Sequence, residues 1–432
     1  MKHRATVRLL TGLAITALLG GCGVVARSLV KETTGYVSPG PSDEARGKAA
    51  WAYFRSTRSG ATGVVEAIAG AGFTTPSAIG DQIAAAIAAD RLHLIDRREF
   101  DDSISSALTF LSTMPLSNGE MPARFYSTRD GGLIDPPRSG VDPGWSSVET
   151  GRLLVWLRVL VDRYPQYEPF VVRALSRWKT CRAVDEGGHL RSALPSGQGL
   201  LNAAEAESGA ALYAAQGFLA WGESVALPSS PAQEDRVNIE GEDFSLSDRS
   251  PVQTAPYALL GIEFGWKTPQ GRELAPARAM EERLWQVQTR RWKRSNLVTA
   301  RGDYRRTSAP YAVTDAVLAG GFTWSTTGED GRSHPELALV STRTGFLLTA
   351  LHGDGQAPQL MSTLSTLYDP GAGWYEGRYE SSGAYEWTRS SATNAVVLET
   401  ILFKNAGTLF SSRRAIKAAI EGDCLLPALA AE

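Results

Sequence analysis

The sequence predicts an all-α fold, a single (α/α)6 toroid with long irregular loops and at most a small β-hairpin. Three observations carry this. Roughly a dozen segments place apolar residues at three- and four-residue spacing, the period of a half-buried helix. The period-two alternation of strands is scarce, and one hairpin fits within residues 289–307. No repeat of fixed length recurs, so an α-solenoid is excluded. A dozen helices in one chain then close on themselves. The loops at one end line a central depression, the place for a ligand.

The elements follow in chain order. Lys2, His3, Arg4 and Arg8 form a basic start, and LLTGLAITALLG is an apolar run too short to span a bilayer. The Leu19-Gly20-Gly21-Cys22 ending resembles a bacterial lipoprotein signal. That resemblance implies cleavage after residue 21 and lipidation of Cys22. Gly23, in place of an aspartate, then implies the outer membrane, facing the periplasm. Residues 22–43 are polar, contain Pro39-Gly40-Pro41 and read as a tether. Residues 44–432 form the toroid. ARGKAAWAYFRST puts Ala49, Ala50, Tyr53 and Phe54 on one stripe. In TTPSAIGDQIAAAIAADRLHLI, Thr75 caps, Pro76 suits the first turn, and Ile79, Ile83 and Ile87 recur every four residues. The next helix carries Phe100, Ile104, Leu108 and Leu111 on one face. After an irregular link over residues 117–144 come WSSVETGRLLVWLRVLVDRYP, PQYEPFVVRALSRWKTC, EAESGAALYAAQGFLAWGE, TAPYALLGIEFGW, ELAPARAMEERLWQVQTRRWKR, PELALVSTRTGFLLTALHG and TNAVVLETILFKNAG, all helical in pattern.

Composition excludes several functions. Lys and Arg total 44 against 46 Asp and Glu, with no basic run, so nucleic acid is not a partner. The five histidines are scattered without metal-ligand spacing, and no glycine-rich loop opens a helix. No metal or organic cofactor is expected. Besides Cys22 there are Cys181 and Cys424, which in an oxidising envelope form a disulfide or stay as buried thiols; both readings remain open.

The densest segment is GWYEGRYESSGAYEW, residues 373–387. Trp374, Tyr375, Tyr379, Tyr385 and Trp387 offer flat faces for a pyranose. Glu376 and Glu380 accept from sugar hydroxyls, and Arg378 donates. The competing reading is a lid that plugs the toroid with its own rings. Glycoside hydrolysis needs two carboxylates, roughly 6.5–9.5 Å apart for inversion. The chosen pair is Glu149 and Glu263. Glu149 stands in GWSSVETGR beside Trp145, a candidate sugar platform; its other role is a first-turn acid paired with Arg152. Glu263 lies in an apolar helix where charge is unwelcome unless paired or used. Arg152, Glu205, Glu207, Tyr257 and Asn394 are further substrate-contact candidates, Asp315 a helix cap, and Glu399 a structural acid.

The motifs AWAYF, SGATGVVEA, FDDSISSALTFLSTMPL, GEMPARFY, GWSSVETGRLLVWLRVLVDRYP, LYAAQGFLAWG, TAPYALLGIEFGW and GWYEGRYESSGAYEWTRSSATNAVVLETILFKNAG run in this order. Together the chain resembles the glycoamylase-like bacterial family catalogued as domain of unknown function 3131, over most of residues 45–407. Its members often accompany exopolysaccharide or glucan genes. The resemblance implies a six-hairpin glycosidase-like toroid, carbohydrate handling and inverting chemistry. It has departures: Glu149 replaces a usual aspartate, Ala255 a common glutamate, and Ala392 an asparagine. The resulting expectation is a lipid-anchored envelope protein acting on a polysaccharide or oligosaccharide as a glycoside hydrolase. The alternative is a non-catalytic carbohydrate-binding or exopolysaccharide-export accessory lipoprotein, with synthesis or export proteins as partners. A third reading, a purely structural envelope protein, expects a cavity filled by its own side chains.

Overall fold

The computed structural model describes residues 38–432, apart from residues 137, 198, 206–207, 228–235, 246–249, 412–415, 422–423 and 430–432. The expected signal, Cys22, most of the tether and Glu207 therefore lie outside the described residues. Eleven α-helices are found among the described residues: α1 (Pro41–Thr57), α2 (Pro76–Arg91), α3 (Arg97–Thr113), α4 (Ser147–Arg163), α5 (Glu168–Leu175), α6 (Gly209–Ala220), α7 (Thr254–Phe264), α8 (Ala275–Ser295), α9 (Thr342–Leu351), α10 (Ala357–Leu364) and α11 (Ser391–Ala406). Helices α2, α4, α6, α7, α9 and α11 pack each on the next, and α11 returns to α2. They form a closed inner ring. Around it α1 lies on α11, α3 on α2, α5 on α3, α8 on α7 and α10 on α9.

Sequence decides which helices go inside. In α2 every residue except Ser77 is buried, as an Ala- and Ile-rich helix apolar on all sides requires. Outer α3 instead buries one stripe, including Phe100, Ile104, Leu108 and Leu111, and exposes the rest. Inner helices approach closely because glycines remove side chains at the crossings. A Cβ on Gly151 of α4 would lie 2.6 Å from the Cα of Ala214 in α6, and one on Gly80 of α2 would lie 3.1 Å from the Cα of Leu153 in α4. Five inner helices begin with a hydroxyl cap: Thr75, Ser146, Ser208, Ser341 and Ser390 each accept from the backbone N–H three residues on.

Several expectations change. Between α6 and α7, residues 221–253 hold a two-stranded hairpin (Arg236–Ile239 with Glu242–Ser245) and no described helix, so the described residues give five outer helices against the six pairs of the expected toroid. Strands are also more frequent than one hairpin; the described residues form nine small sheets of two or three strands. Helix α8 continues to Ser295, so the expected hairpin lies later: Tyr304–Arg305 pairs with Ala312–Ala319, which pairs with Phe322–Gly328. Asp315 is therefore on a strand and caps no helix. The helix after Glu205 starts only at Gly209. Cys181 is disulfide-bonded, and the strand beginning at Cys424 packs on the short turn that holds it.

The α4–α6 crossing gives a direct test. Gly217→Ala places a methyl against the Gly151 backbone, where no flexible side chain can give way. Urea denaturation should show a loss of about 1–3 kcal/mol, the usual cost of overpacking. Gly197→Ala, with open space around it, should change stability by less than about 0.5 kcal/mol.

Candidate functional site

All six inner helices send their N-terminal ends to one cavity of about 410 Å³. Its floor comes from Ser77 of α2, Glu149 of α4, Tyr213 of α6, Pro256 of α7, Arg343 of α9 and Ser391 of α11. One wall is the sheet containing Tyr304, Arg305 and Val313; the other includes Ile68, Phe73 and Phe125. Each helix N-terminus carries about half a positive charge, and six together favour anionic groups at this spot. Four acids line the cavity: Asp81, Glu149, Asp303 and Glu376.

The four differ in how they are held. Glu149 accepts through Oε2 from Thr75 Oγ1 at 2.8 Å and from the Ser77 N–H at 3.2 Å. Its Oε1 has no protein hydrogen bond among the described residues. Glu376 is buried and accepts through Oε1 from the Ser390 hydroxyl and from Thr393 Oγ1 at 2.9 Å, leaving Oε2 without a bond among the described residues. Burial raises the Glu376 carboxyl above the usual carboxylate range, opposed by those hydroxyls and by Arg343. Asp303 is pushed up to about 7, chiefly by burial, with Arg343 opposing. Both of its oxygens are engaged, Oδ1 by the Asp315 N–H at 3.2 Å and Oδ2 by Gln253. Asp81 is held by Arg152 at 3.0 Å and by Ser391 at 2.8 Å.

At the floor and just below it sits a buried charge cluster. Arg152 reaches Asp81 of α2, Glu263 of α7 and Glu399 of α11, and donates to Tyr213 Oη of α6 at 2.8 Å. Tyr213 in turn donates to Glu263 at 2.8 Å. Burial pushes Glu399 up to about 8; Arg152 opposes this, while neighbouring Glu263 reinforces it. Glu399 Oε2 has no hydrogen-bond partner among the described residues, and the upward shift favours the neutral carboxyl there.

The structure sorts the sequence candidates. Glu149 faces the cavity. Glu263 does not: it is 1% exposed and consumed by Arg152 and Tyr213, which is the buried ion-pair reading. Arg152 lines the cavity, but its donors are committed to the cluster below. Trp145 and Trp374 are core residues, so neither is a sugar platform; Trp374 Nε1 donates to the Arg46 carbonyl at 3.1 Å. Asn394 is fully buried and ties α11 to the Trp374 backbone at 2.7 Å. Glu380 is clamped by Arg291 and Arg301, each through two bonds of 2.8–3.1 Å. Arg301 also pairs with Asp315, so Asp315 anchors the wall. Tyr379 donates to Glu386, and exposed Arg378 to the Gly383 carbonyl at 2.9 Å. Tyr257 packs over Gly209, outside the cavity lining. Glu205 accepts from Ser192 and lines a separate recess of about 280 Å³. Tyr375 and Trp387 are also outside the cavity lining. Of the aromatic segment, only Glu376 enters the cavity.

Sequence reasoning missed Asp81, Asp303 and Arg343. A signal existed for Asp81, the lone acid within GDQIAAA, where burial demands a partner. Asp303 and Arg343 sit in ordinary polar contexts and gave none.

Removing Arg152 should be costly. Arg152→Met leaves buried carboxylates without their counter-charge, and urea unfolding should show a loss of about 3–5 kcal/mol. Arg378→Met, at an exposed position, should cost less than about 0.5 kcal/mol.

Comparison with solved structures supports the fold. An endo-β-1,2-glucanase from Chitinophaga pinensis, solved with sophorotriose and glucose, aligns with TM-score 0.61 at 12% identity, covering 85% of this chain and 93% of that one. A glucoamylase-like protein from Bacteroides fragilis aligns with TM-score 0.61 at 15% identity, covering 86% and 93%. A mutant endo-β-1,2-glucanase from Talaromyces funiculosus, in complex with β-1,2-glucan, aligns with TM-score 0.55 at 10% identity, covering 89% and 86%. At these identities the likeness is one of fold, a glycosidase-like helical architecture. No curated protein matches the sequence. The match to the family described as protein of unknown function DUF3131 spans residues 45–407, and the chain belongs to that family.

Proposed function

We propose that this protein is an inverting glycoside hydrolase of the bacterial envelope, anchored through lipidated Cys22 in the outer membrane and cleaving a β-linked glucan in the periplasm. The observation that carries the reading is the pairing of Glu149 and Glu376. Each is fixed through one carboxylate oxygen and, among the described residues, leaves the other unbonded at the same cavity. Glu376, whose buried carboxyl favours the protonated form, is the general acid. Glu149, held by a hydroxyl and a helix-start N–H that both donate to it, is the general base. A water placed by Glu149 attacks the anomeric carbon and gives its proton to that carboxylate. Glu376 protonates the glycosidic oxygen as the C–O bond breaks, and the new hydroxyl lies on the opposite face of the sugar. Asp303 has no unbonded oxygen and serves to position Gln253 and balance Arg343 at the wall. The substrate class is supported by the similar glucanases solved with β-1,2-linked glucose units.

A non-catalytic binding role on the same scaffold is favoured by one observation. Ala255, where the family resemblance leads one to expect a glutamate, lines the cavity.

The test is the release of reducing ends from linear β-1,2-glucan and other bacterial β-glucans. Glu376→Gln and Glu149→Gln should each lower turnover by about 10²–10⁴-fold, with glucan binding retained. Turnover that survives both substitutions would remove the assigned pair. Binding without any turnover in the wild type would favour the accessory role.

A further inference from the structure

The sequence segment that first suggested sugar contact divides in two in the structure. Glu376 lines the cavity, whereas Tyr375, Tyr385 and Trp387 form a ring cluster outside its lining. Trp387 is 63% exposed, among the largest exposures of any apolar side chain described. Its ring lies 4.8 Å from that of Tyr375 at 78° and 5.1 Å from that of Tyr385 at 49°. Tyr385 Oη bonds to Thr366 Oγ1 at 2.8 Å, and the Glu376 N–H donates to the Thr388 carbonyl at 2.8 Å, joining the chain beside Tyr375 to that beside Trp387. Asp369 and Arg389 act on the Tyr375 hydroxyl with opposite sign. The cluster is therefore neither a core remnant nor a greasy patch, but three mutually packed rings with hydroxyls on two of them and a charge of each sign acting on Tyr375.

We infer that this triad is a surface platform for a linear, uncharged β-glucan, a second binding site distinct from the cavity. Sugars of this kind carry C–H bonds on both faces and hydroxyls at the rim, matching flat rings bordered by polar groups. The opposite charges of Asp369 and Arg389 give the patch no net preference for an ionic partner. Its position also fits a chain rather than a free sugar. Tyr375 precedes Glu376 in the turn between two strands and Trp387 comes three residues before Ser390, and Glu376 and Ser390 both line the cavity. A polysaccharide with one stretch in the cavity has its continuation within reach of the triad. The inference extends the proposed function by adding where the rest of a long substrate is held.

The experiment is native affinity electrophoresis of the full chain in mild detergent, through gels with and without linear β-1,2-glucan. Trp387→Ala should weaken retention by the polymer about tenfold, and Tyr375→Ala severalfold, because each removes a stacking face. Turnover of the short trisaccharide sophorotriose should stay within about twofold of wild type. Equal retention of wild type and Trp387→Ala, including no retention of either, overturns the inference. So does a loss of sophorotriose turnover matching the loss of retention, which would put Trp387 in the cavity. A change from dimer to monomer on Trp387→Ala would also overturn it, by showing that a second copy covers the rings. Retention is read whether or not the glucan is cut, so a failure of the hydrolase reading leaves this test intact.

Discussion

One guanidinium ties the ring together. Arg152 rises from α4 and meets Asp81 of α2, Glu263 of α7, Glu399 of α11 and the Tyr213 hydroxyl of α6. Five of the six inner helices therefore converge on one buried cation. Such a cluster is a poor source of net stability, because desolvating the charges costs about as much as their attraction returns. Its value is specificity. The acids are satisfied only when the helices close in this order and register. A slipped helix would leave a carboxylate buried without a partner, which is expensive.

The cluster sits at the cavity floor and just below it, and that position sets the chemistry. With the inner helices fixed in register, their N-termini end at one level and their dipoles add. Carboxylates are welcome there, and hydroxyl caps such as Thr75 and Ser390 double as donors to Glu149 and Glu376. The caps that start the helices thus also aim the acids. The wall is secured independently by Arg301, which joins Asp315 on the sheet to Glu380 on the aromatic segment. Two buried arginines hold floor and wall, and the working acids lie between them.

Much of this fold was legible in the sequence, because helical periodicity, hydroxyl caps and all-apolar inner helices are local signals. Thr75, Pro76 and the Ile79–Ile83–Ile87 spacing define α2 before any contact is known. The strands were not legible, since most are two or three residues long and follow from loop packing. The site was half legible. Glu149 could be read from its place at a helix start, but nothing local separates Glu263, buried against a residue 111 positions away, from an acid that faces solvent. The aromatic segment misled for a related reason. Its turns between short strands send Trp374 to the core, Glu376 to the cavity and Trp387 to the surface, and strands of two or three residues leave no pattern in the sequence that foretells it.

The central claim is that Glu149 and Glu376 straddle one glycosidic bond. It is tested most directly by a crystal structure of the Glu376→Gln variant with a β-1,2-linked oligosaccharide. The account predicts a glucan spanning the cavity, with the two side-chain carboxyl carbons on opposite sides of one linkage and about 6.5–9.5 Å apart. A bound sugar that touches only one of the two, or a separation well beyond that range, would contradict it.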